Sequence, residues 1–244
     1  TSDAILSLRE KLEEACRNRE PVLIYGELGT GKSLAAKTIH ANGEQFEEPF
    51  FSIDCSSASQ ELLEAELFGE EDSSQLGLLQ INDGRTVYLK EISALDKSAQ
   101  ALLRNYLNQE KGNLAPRIIA GSSAALQPLV ESNNFDRTLF LKLNENFIST
   151  TSLRERADDP VLLACYLLKK SQRRLQKTGL RLSDDARAAI RQYEWPGNVN
   201  ELENALDRAT ILTKSNSLIY PLQLAIDSTG DTKKDFSDSD EEVS

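Results

Sequence analysis

The stretch 22-VLIYGELGTGKSLAAKTIH-40 decides how the chain is read. Val22 to Tyr25 is a short apolar run of the kind that forms a buried strand. The residues that follow, Gly26, Glu27, Leu28, Gly29, Thr30, Gly31, Lys32 and Ser33, spell G-x-x-x-x-G-K-[ST]. From Leu34 to His40 the chain favours helix. Strand, glycine-rich loop and helix in this order form the context of a phosphate-binding P-loop. The glycines let successive backbone N–H groups turn toward an anion, and the helix N-terminus adds its dipole. Lys32 is placed to reach the outer phosphates and Ser33 to ligate Mg²⁺. The predicted phosphate site is therefore Gly26 to Ser33, with Leu34 at the start of the helix.

Working outward, the opening residues 3–18 place Ile5, Leu8, Leu12 and Ala15 on one helical face. The runs 50-FFSI-53, 86-TVYL-89, 117-RIIA-120 and, more weakly, 146–149 read as further strands. Helices are expected at 59–67, 97–110, 124–131 and 135–143. Strands alternating with helices imply a parallel sheet covered on both faces, an α/β fold. From Pro160 to Leu212 the pattern holds only helices, about 160–178, 184–193 and 199–213. Ser183 is placed to cap the second. Asn198 and Glu201 are spaced as a capping box for the third. The expected organisation is a P-loop α/β unit over 1–155, a small all-helical lid over 156–226, and an acidic disordered tail or linker over 227–244.

Composition narrows the class. The net charge is −11, with seven acids against Lys233 and Lys234 after Ile226, which argues against a bare nucleic-acid-binding surface. No apolar run reaches the length of a membrane span and no N-terminal signal pattern stands out. Cys16, Cys55 and Cys165 are widely spaced, as in the reduced thiols of a cytoplasmic protein rather than a disulfide framework or a zinc site. His40 is the one histidine and is expected to be neither metal ligand nor base. Trp195 is expected to be a packing anchor. The chain contains no Met, its first residue included, so flanking domains are expected beyond it.

Five strings in order, GELGTGKS, PFFSIDCSS, EAELFG, SLRERADD and WPGNVNELENALDRATIL, resemble the AAA+ ATPase domain of bacterial enhancer-binding proteins, the activators of sigma-54 RNA polymerase. The resemblance covers about residues 1 to 226. It implies a five-stranded sheet with a helical lid, nucleotide (ATP or ADP) at the P-loop, and self-association through the AAA+ faces. It also implies a protein partner, and contact with DNA through a domain outside this chain.

The resemblance fails at particular positions. The family carries a GAFTGA loop, which engages the sigma factor, just after ELFG. Here 66-ELFG-69 runs into EEDSSQLG and the loop is missing. The family's third strand ends in Asp-Glu, the Asp holding Mg²⁺ and the Glu polarising water. Here the string is 87-VYLKEI-92, with Lys90 at the Asp position and Glu91 left as the one catalytic candidate. Asp54 replaces an Asn, and an Asp54–Lys90–Glu91 salt-bridged cluster is the expectation. Ser122-Ser123 replaces the sensor Thr-Asn. Asp136 and Lys142 stand at the arginine-finger positions, with Arg137 one place along, and Asn200 at the lid's sensor arginine. Arg154 and Arg156 remain and are expected to cap the lid junction.

The reading is a nucleotide-binding regulatory domain of a transcription regulator, with ATP or ADP as ligand and Mg²⁺ weakly held. It is expected to hydrolyse ATP poorly, as a pseudo-ATPase, and not to activate sigma-54 polymerase. Two alternatives stay open: an active ATPase with relocated catalytic residues, and a protein-interaction module with an empty P-loop.

Overall fold

A computed structural model describes residues 3–57, 59–69, 76–109, 112–156 and 159–226. The expectations for the segment after Gly69 and for the tail after Ile226 fall outside these residues. The chain divides into two compact units, 1–159 with 195–202, and 160–194 with 203–244.

In the first unit the elements run α1 (Asp3–Cys16), β1 (Val22–Tyr25), α2 (Lys32–Ala41), β2 (Phe50–Asp54), α3 (Gln60–Phe68), β3 (Thr86–Lys90), α4 (Lys97–Asn108), β4 (Arg117–Ser122), α5 (Leu126–Glu131), α6 (Arg137–Asn144) and β5 (Phe147–Ser149). The strands form one parallel sheet in the order β2-β3-β4-β1-β5. This is the predicted α/β architecture.

Alternation along each strand splits the side chains between two cores. Leu23, Val87, Leu89, Ile118 and Ala120 pack with Leu63, Leu67, Leu103, Leu139 and Leu143 from α3, α4 and α6. Val22, Ile24, Tyr88, Ile119 and Ile148 pack with Ala35, Ala36 and Ile39 of α2 and Ala15 of α1. Both faces are covered, so the strands read as continuous apolar runs. Helix starts follow short polar caps: Asp96 accepts from the Ala99 N–H at 2.8 Å, and Asp136 from the Leu139 N–H at 2.8 Å.

The second unit holds α7 (Asp159–Arg174) from Pro160 onward, α8 (Asp184–Gln192), the later part of α9 (Asn198–Leu212) and α10 (Pro221–Leu224). Leu167, Leu168, Ile190, Leu206 and Ala209 are buried. The reading of helices alone from Pro160 to Leu212 needs one correction. Arg181–Leu182 forms a strand, β6, paired in parallel with β7, Leu218–Ile219. Two residues are too few for a strand period to register in sequence. Ser183 caps α8 as predicted, accepting from the Ala186 N–H at 3.1 Å. Lys170 pairs with Glu203 at 2.9 Å, and Arg174 with Asp207, joining α7 to α9.

Among the described residues no helix is long and apolar enough to cross a membrane.

Candidate functional site

The P-loop leaves the carboxyl end of β1, where parallel α/β sheets place their ligands. Gly26 has φ 156°, and a Cβ there would fall 2.0 Å from Thr150 Oγ1 and 2.6 Å from the Thr150 carbonyl. Gly31, at φ 102°, sits immediately before α2. The helix begins at Lys32, so the last two motif residues already belong to it.

Lys32 is buried and bends back over the loop. Its Nζ donates to the carbonyl of Gly26 at 2.7 Å and of Glu27 at 3.2 Å, and lies 3.4 Å from Glu91. Glu91 also accepts from the Ser123 N–H at 2.9 Å and the Ser123 hydroxyl at 2.6 Å. Its backbone is left-handed, φ 49°. Side-chain-bearing residues rarely hold that conformation without surrounding constraint, and such residues cluster at functional sites. The predicted catalytic candidate and the P-loop lysine are thus brought together.

The loop is braced from residues 150–156 and 197–199. Thr30 Oγ1 donates to the Glu27 carbonyl at 2.8 Å and meets Thr150 Oγ1 at 2.7 Å. Arg156 donates to the Thr30 carbonyl at 3.1 Å and the Thr151 carbonyl at 2.7 Å. Arg154 grips Glu27 with both terminal nitrogens, the fork geometry arginine provides and lysine does not. Asn198, fully buried, donates to Glu27 Oε2 at 3.1 Å and the Leu28 carbonyl at 2.9 Å, and accepts from the Leu153 N–H at 2.7 Å. The Val199 N–H donates to the Gly29 carbonyl at 3.0 Å. Arg154 first, then Asn198, holds the Glu27 carboxyl at about 2, well below the ordinary carboxylate range.

Two expectations change here. Asn198 does not cap α9. Its side chain serves the P-loop, its backbone is left-handed at φ 51°, and the Glu201 carboxylate reaches past it to the Gly197 N–H at 2.8 Å. Arg154 and Arg156, expected to cap the lid junction, have described hydrogen bonds to Glu27, Thr30 and Thr151. The Asp54–Lys90–Glu91 cluster does not form. Glu91 is taken by Lys32 and Ser123, and the Asp54 carboxylate accepts from the Ser56 hydroxyl at 2.6 Å and N–H at 3.1 Å. Those bonds, more than the field of Lys90, keep the Asp54 carboxyl below its usual value. Among the described ion pairs none includes Lys90.

Of the other positions at which the resemblance fails, Ser123 joins the site through Glu91, whereas the finger positions make other contacts. Asp136 caps α6 and pairs with Arg104 at 2.7 Å. Arg137 and Asn200 are exposed, and Lys142 is half-buried. His40 meets Thr86 Oγ1 at 2.9 Å and its ring lies tilted against Phe50, centroids 5.3 Å apart, a packing role. Trp195 is fully buried.

The donor set is a poor fit for Mg²⁺. β3 ends in an ammonium, Lys90, in register with Asp54, where a hard cation needs carboxylate oxygen, and the Asp54 and Glu91 carboxylates are already engaged by Ser56, Lys32 and Ser123. No three His, Cys, Asp or Glu side chains converge among the described residues.

A parallel five-stranded α/β unit with a braced P-loop at the carboxyl end of β1 defines the P-loop NTPase fold of AAA+ type. Residues 1–149 match the family described as the sigma-54 interaction domain, and residues 154–238 match the AAA+ ATPase lid domain. The chain belongs to the sigma-54 interaction domain family. It is 34% identical over 234 residues to the transcriptional regulatory protein XylR of Pseudomonas putida, covering 89% of this chain and 41% of that protein. It is 36% identical over 228 residues to the Nif-specific regulatory protein of Enterobacter agglomerans, covering 87% and 44%. The chain thus spans less than half the length of these curated relatives. Among solved structures it resembles NtrX from Brucella abortus in complex with ADP, with TM-score 0.82 and 26% identity over 91% of this chain and 54% of that one. The ATP complex of the same protein has TM-score 0.82 and 25% identity, over 91% and 55%.

Proposed function

We propose that the chain is the nucleotide-binding AAA+ domain of a transcription regulator, able to hold ATP or ADP but not to hydrolyse ATP efficiently or to activate sigma-54 polymerase. The observation that carries the reading is a contrast at one site. Gly26 to Ser33 form a complete, braced phosphate cradle, whereas Lys90 occupies the position of a metal-binding carboxylate. Asp136, at a finger position, is committed to a helix cap and to Arg104. An arginine finger is worth orders of magnitude in phosphoryl transfer, and neither Asp136 nor Lys142 offers its planar fork. The ATP and ADP complexes of NtrX support a nucleotide as ligand. The missing loop after 66-ELFG-69 supports the loss of sigma-54 activation. We further propose a P-loop subdomain over 1–155, a lid over 156–226 and an acidic linker or tail over 227–244. The domain passes its nucleotide-dependent state to a protein partner, to a second copy or to an attached DNA-binding domain of a bacterial cytoplasmic regulator. A ligand shifts such a state only by binding one form better than another.

One observation favours an active ATPase instead: Glu91 is held in a left-handed conformation facing Lys32. Calorimetry with ATP and ADP, run beside phosphate release, separates the readings. Expected are saturable binding, background phosphate release, and a loss of affinity of at least about 100-fold (about 2.7 kcal/mol) in Lys32→Ala. Phosphate release well above background that Glu91→Gln abolishes would establish the active ATPase.

A further inference from the structure

The misfit between this site and a divalent ion has a structural answer in Lys90. Residues of equal parity on a strand share a face. Tyr88 lies in the core on the α2 side, with Ala35, Ala36 and Ile39. Lys90, two residues on, leaves the sheet on that same side, about 7 Å further toward the carboxyl rim. That rim carries the P-loop, and the Tyr88 phenol ties the two together. Burial pushes the phenol up to about 12, and the neighbouring Ser33 side chain pulls the other way. The ring closes on the sheet so tightly that a Cβ at Gly121 would fall 2.5 Å from the Tyr88 hydroxyl. Ser33 and the base of Lys90 are therefore held on one side of β3 by a rigid, fully buried spacer.

The carboxylates nearby are engaged by other donors. Asp54 lies directly across in the sheet register and feels the charge of Lys90, but one of its oxygens accepts from the Ser56 hydroxyl and N–H. Glu91 is bound by Lys32 and Ser123. Lys90 is half-buried and belongs to none of the described ion pairs. Two ammonium groups facing one rim repel each other, and an anion between them removes the repulsion. A polyphosphate is such an anion, already cradled on one side by the P-loop amides and the start of α2.

We propose that the ammonium of Lys90 takes the place of the divalent ion, so that this P-loop binds a nucleoside triphosphate without metal. The proposal rests on the nucleotide-binding reading given above. It deepens that reading by removing the metal requirement and by naming a second phosphate-binding lysine.

The test is ATP titration by calorimetry in EDTA and again in excess MgCl₂. For the unmodified chain the two affinities are expected to agree within about threefold, less than 1 kcal/mol. Lys90→Asp is expected to weaken binding in EDTA by at least about tenfold, or 1.4 kcal/mol, and to regain it on addition of Mg²⁺. Lys90→Met, which keeps the stem and removes the charge, is expected to weaken binding equally in both solutions. Its thermal melt, unchanged from the parent, keeps the result free of folding effects. Binding by the unmodified chain that appears only with Mg²⁺ would overturn the role of Lys90 and leave the nucleotide reading standing. Unchanged affinity of both variants in EDTA would do the same. Absence of binding in both solutions would overturn the nucleotide reading, and the metal-free proposal with it.

Discussion

The P-loop and the carboxyl ends of β2 and β3 share one rim of the sheet, yet they are built in different ways. The loop is held through its main-chain carbonyls. Carbonyls of Gly26, Glu27, Leu28, Gly29 and Thr30 all accept hydrogen bonds, from Lys32, Asn198, Arg156, Thr30 Oγ1 and the Val199 N–H. The strand ends depend on side-chain identity alone: Asp54, Lys90 and Glu91 each carry whatever chemistry their residue type allows. Changing Lys for Asp at such a position alters charge and ligand type without disturbing the ladder that pairs Asp54 with Lys90 in register. Loop geometry fixed through backbone carbonyls and chemistry carried by single side chains at the strand ends are therefore separable.

That contrast is most sharply broken at Gly26. A Cβ placed 2.0 Å from Thr150 Oγ1 and 2.6 Å from its carbonyl forces the loop away from Thr150. Gly26→Ala is expected to destabilise the fold by about 3 kcal/mol, the upper end for overpacking, and to abolish nucleotide binding. A denaturation midpoint equal to that of the parent would show that the loop is looser than its contacts imply.

A smaller effect is expected at Asn198. Truncation to Ala strands the buried Leu153 N–H, frees the Leu28 carbonyl and removes one of the two side chains on Glu27. About 2 kcal/mol is expected for an unpaired buried donor, read from urea denaturation. Asn198→Asp keeps the acceptor for Leu153 but sets a second carboxylate against Glu27, so it is expected to fall between the parent and Asn198→Ala only at low pH. If Asn198→Ala costs nothing, the bracing of the loop by residues 195–202 is not energetic.

The smallest effect is a pH dependence from Glu27. Its carboxyl titrates at about 2 in the folded chain, against 4.5 when unperturbed. Between these values the unfolded chain binds the proton that the folded chain refuses. The contribution is therefore complete above about pH 4.5 and is lost as pH falls toward 2. Glu27 is exposed, which keeps the effect modest through solvent screening. In Glu27→Gln the acid side of a plot of melting temperature against pH is expected to be shallower. Superimposable profiles would mean that the Arg154–Glu27 contact carries no net stability.

Much of this was legible in sequence, and the exceptions share a cause. The P-loop declares itself because its spacing is contiguous and each residue type has one local purpose. The five parallel strands declare themselves because both-face burial leaves uninterrupted apolar runs such as 22-VLIY-25 and 117-RIIA-120. Asn198 is ambiguous in sequence because its position before an apolar helical stripe fits a cap equally well. Only its distance in space from Leu153 and Leu28 separates the two roles. Arg154 and Arg156 carry no local signal that their partners are Glu27 and Thr30, more than a hundred residues earlier. Tyr88 reads as one more apolar strand residue until Ser33 and Gly121 are seen beside its hydroxyl.

Local periodicity, glycine placement and contiguous strings are enough for the α/β class, the P-loop motif and the family. Which charges meet is settled in three dimensions. Glu91 goes to Lys32 and Ser123, Asp54 to Ser56, Asp136 to Arg104, and Lys90 enters none of the described ion pairs. Electrostatic pairing depends on a few ångströms of separation and on competing donors, and nothing in the order of residues along a chain sets either.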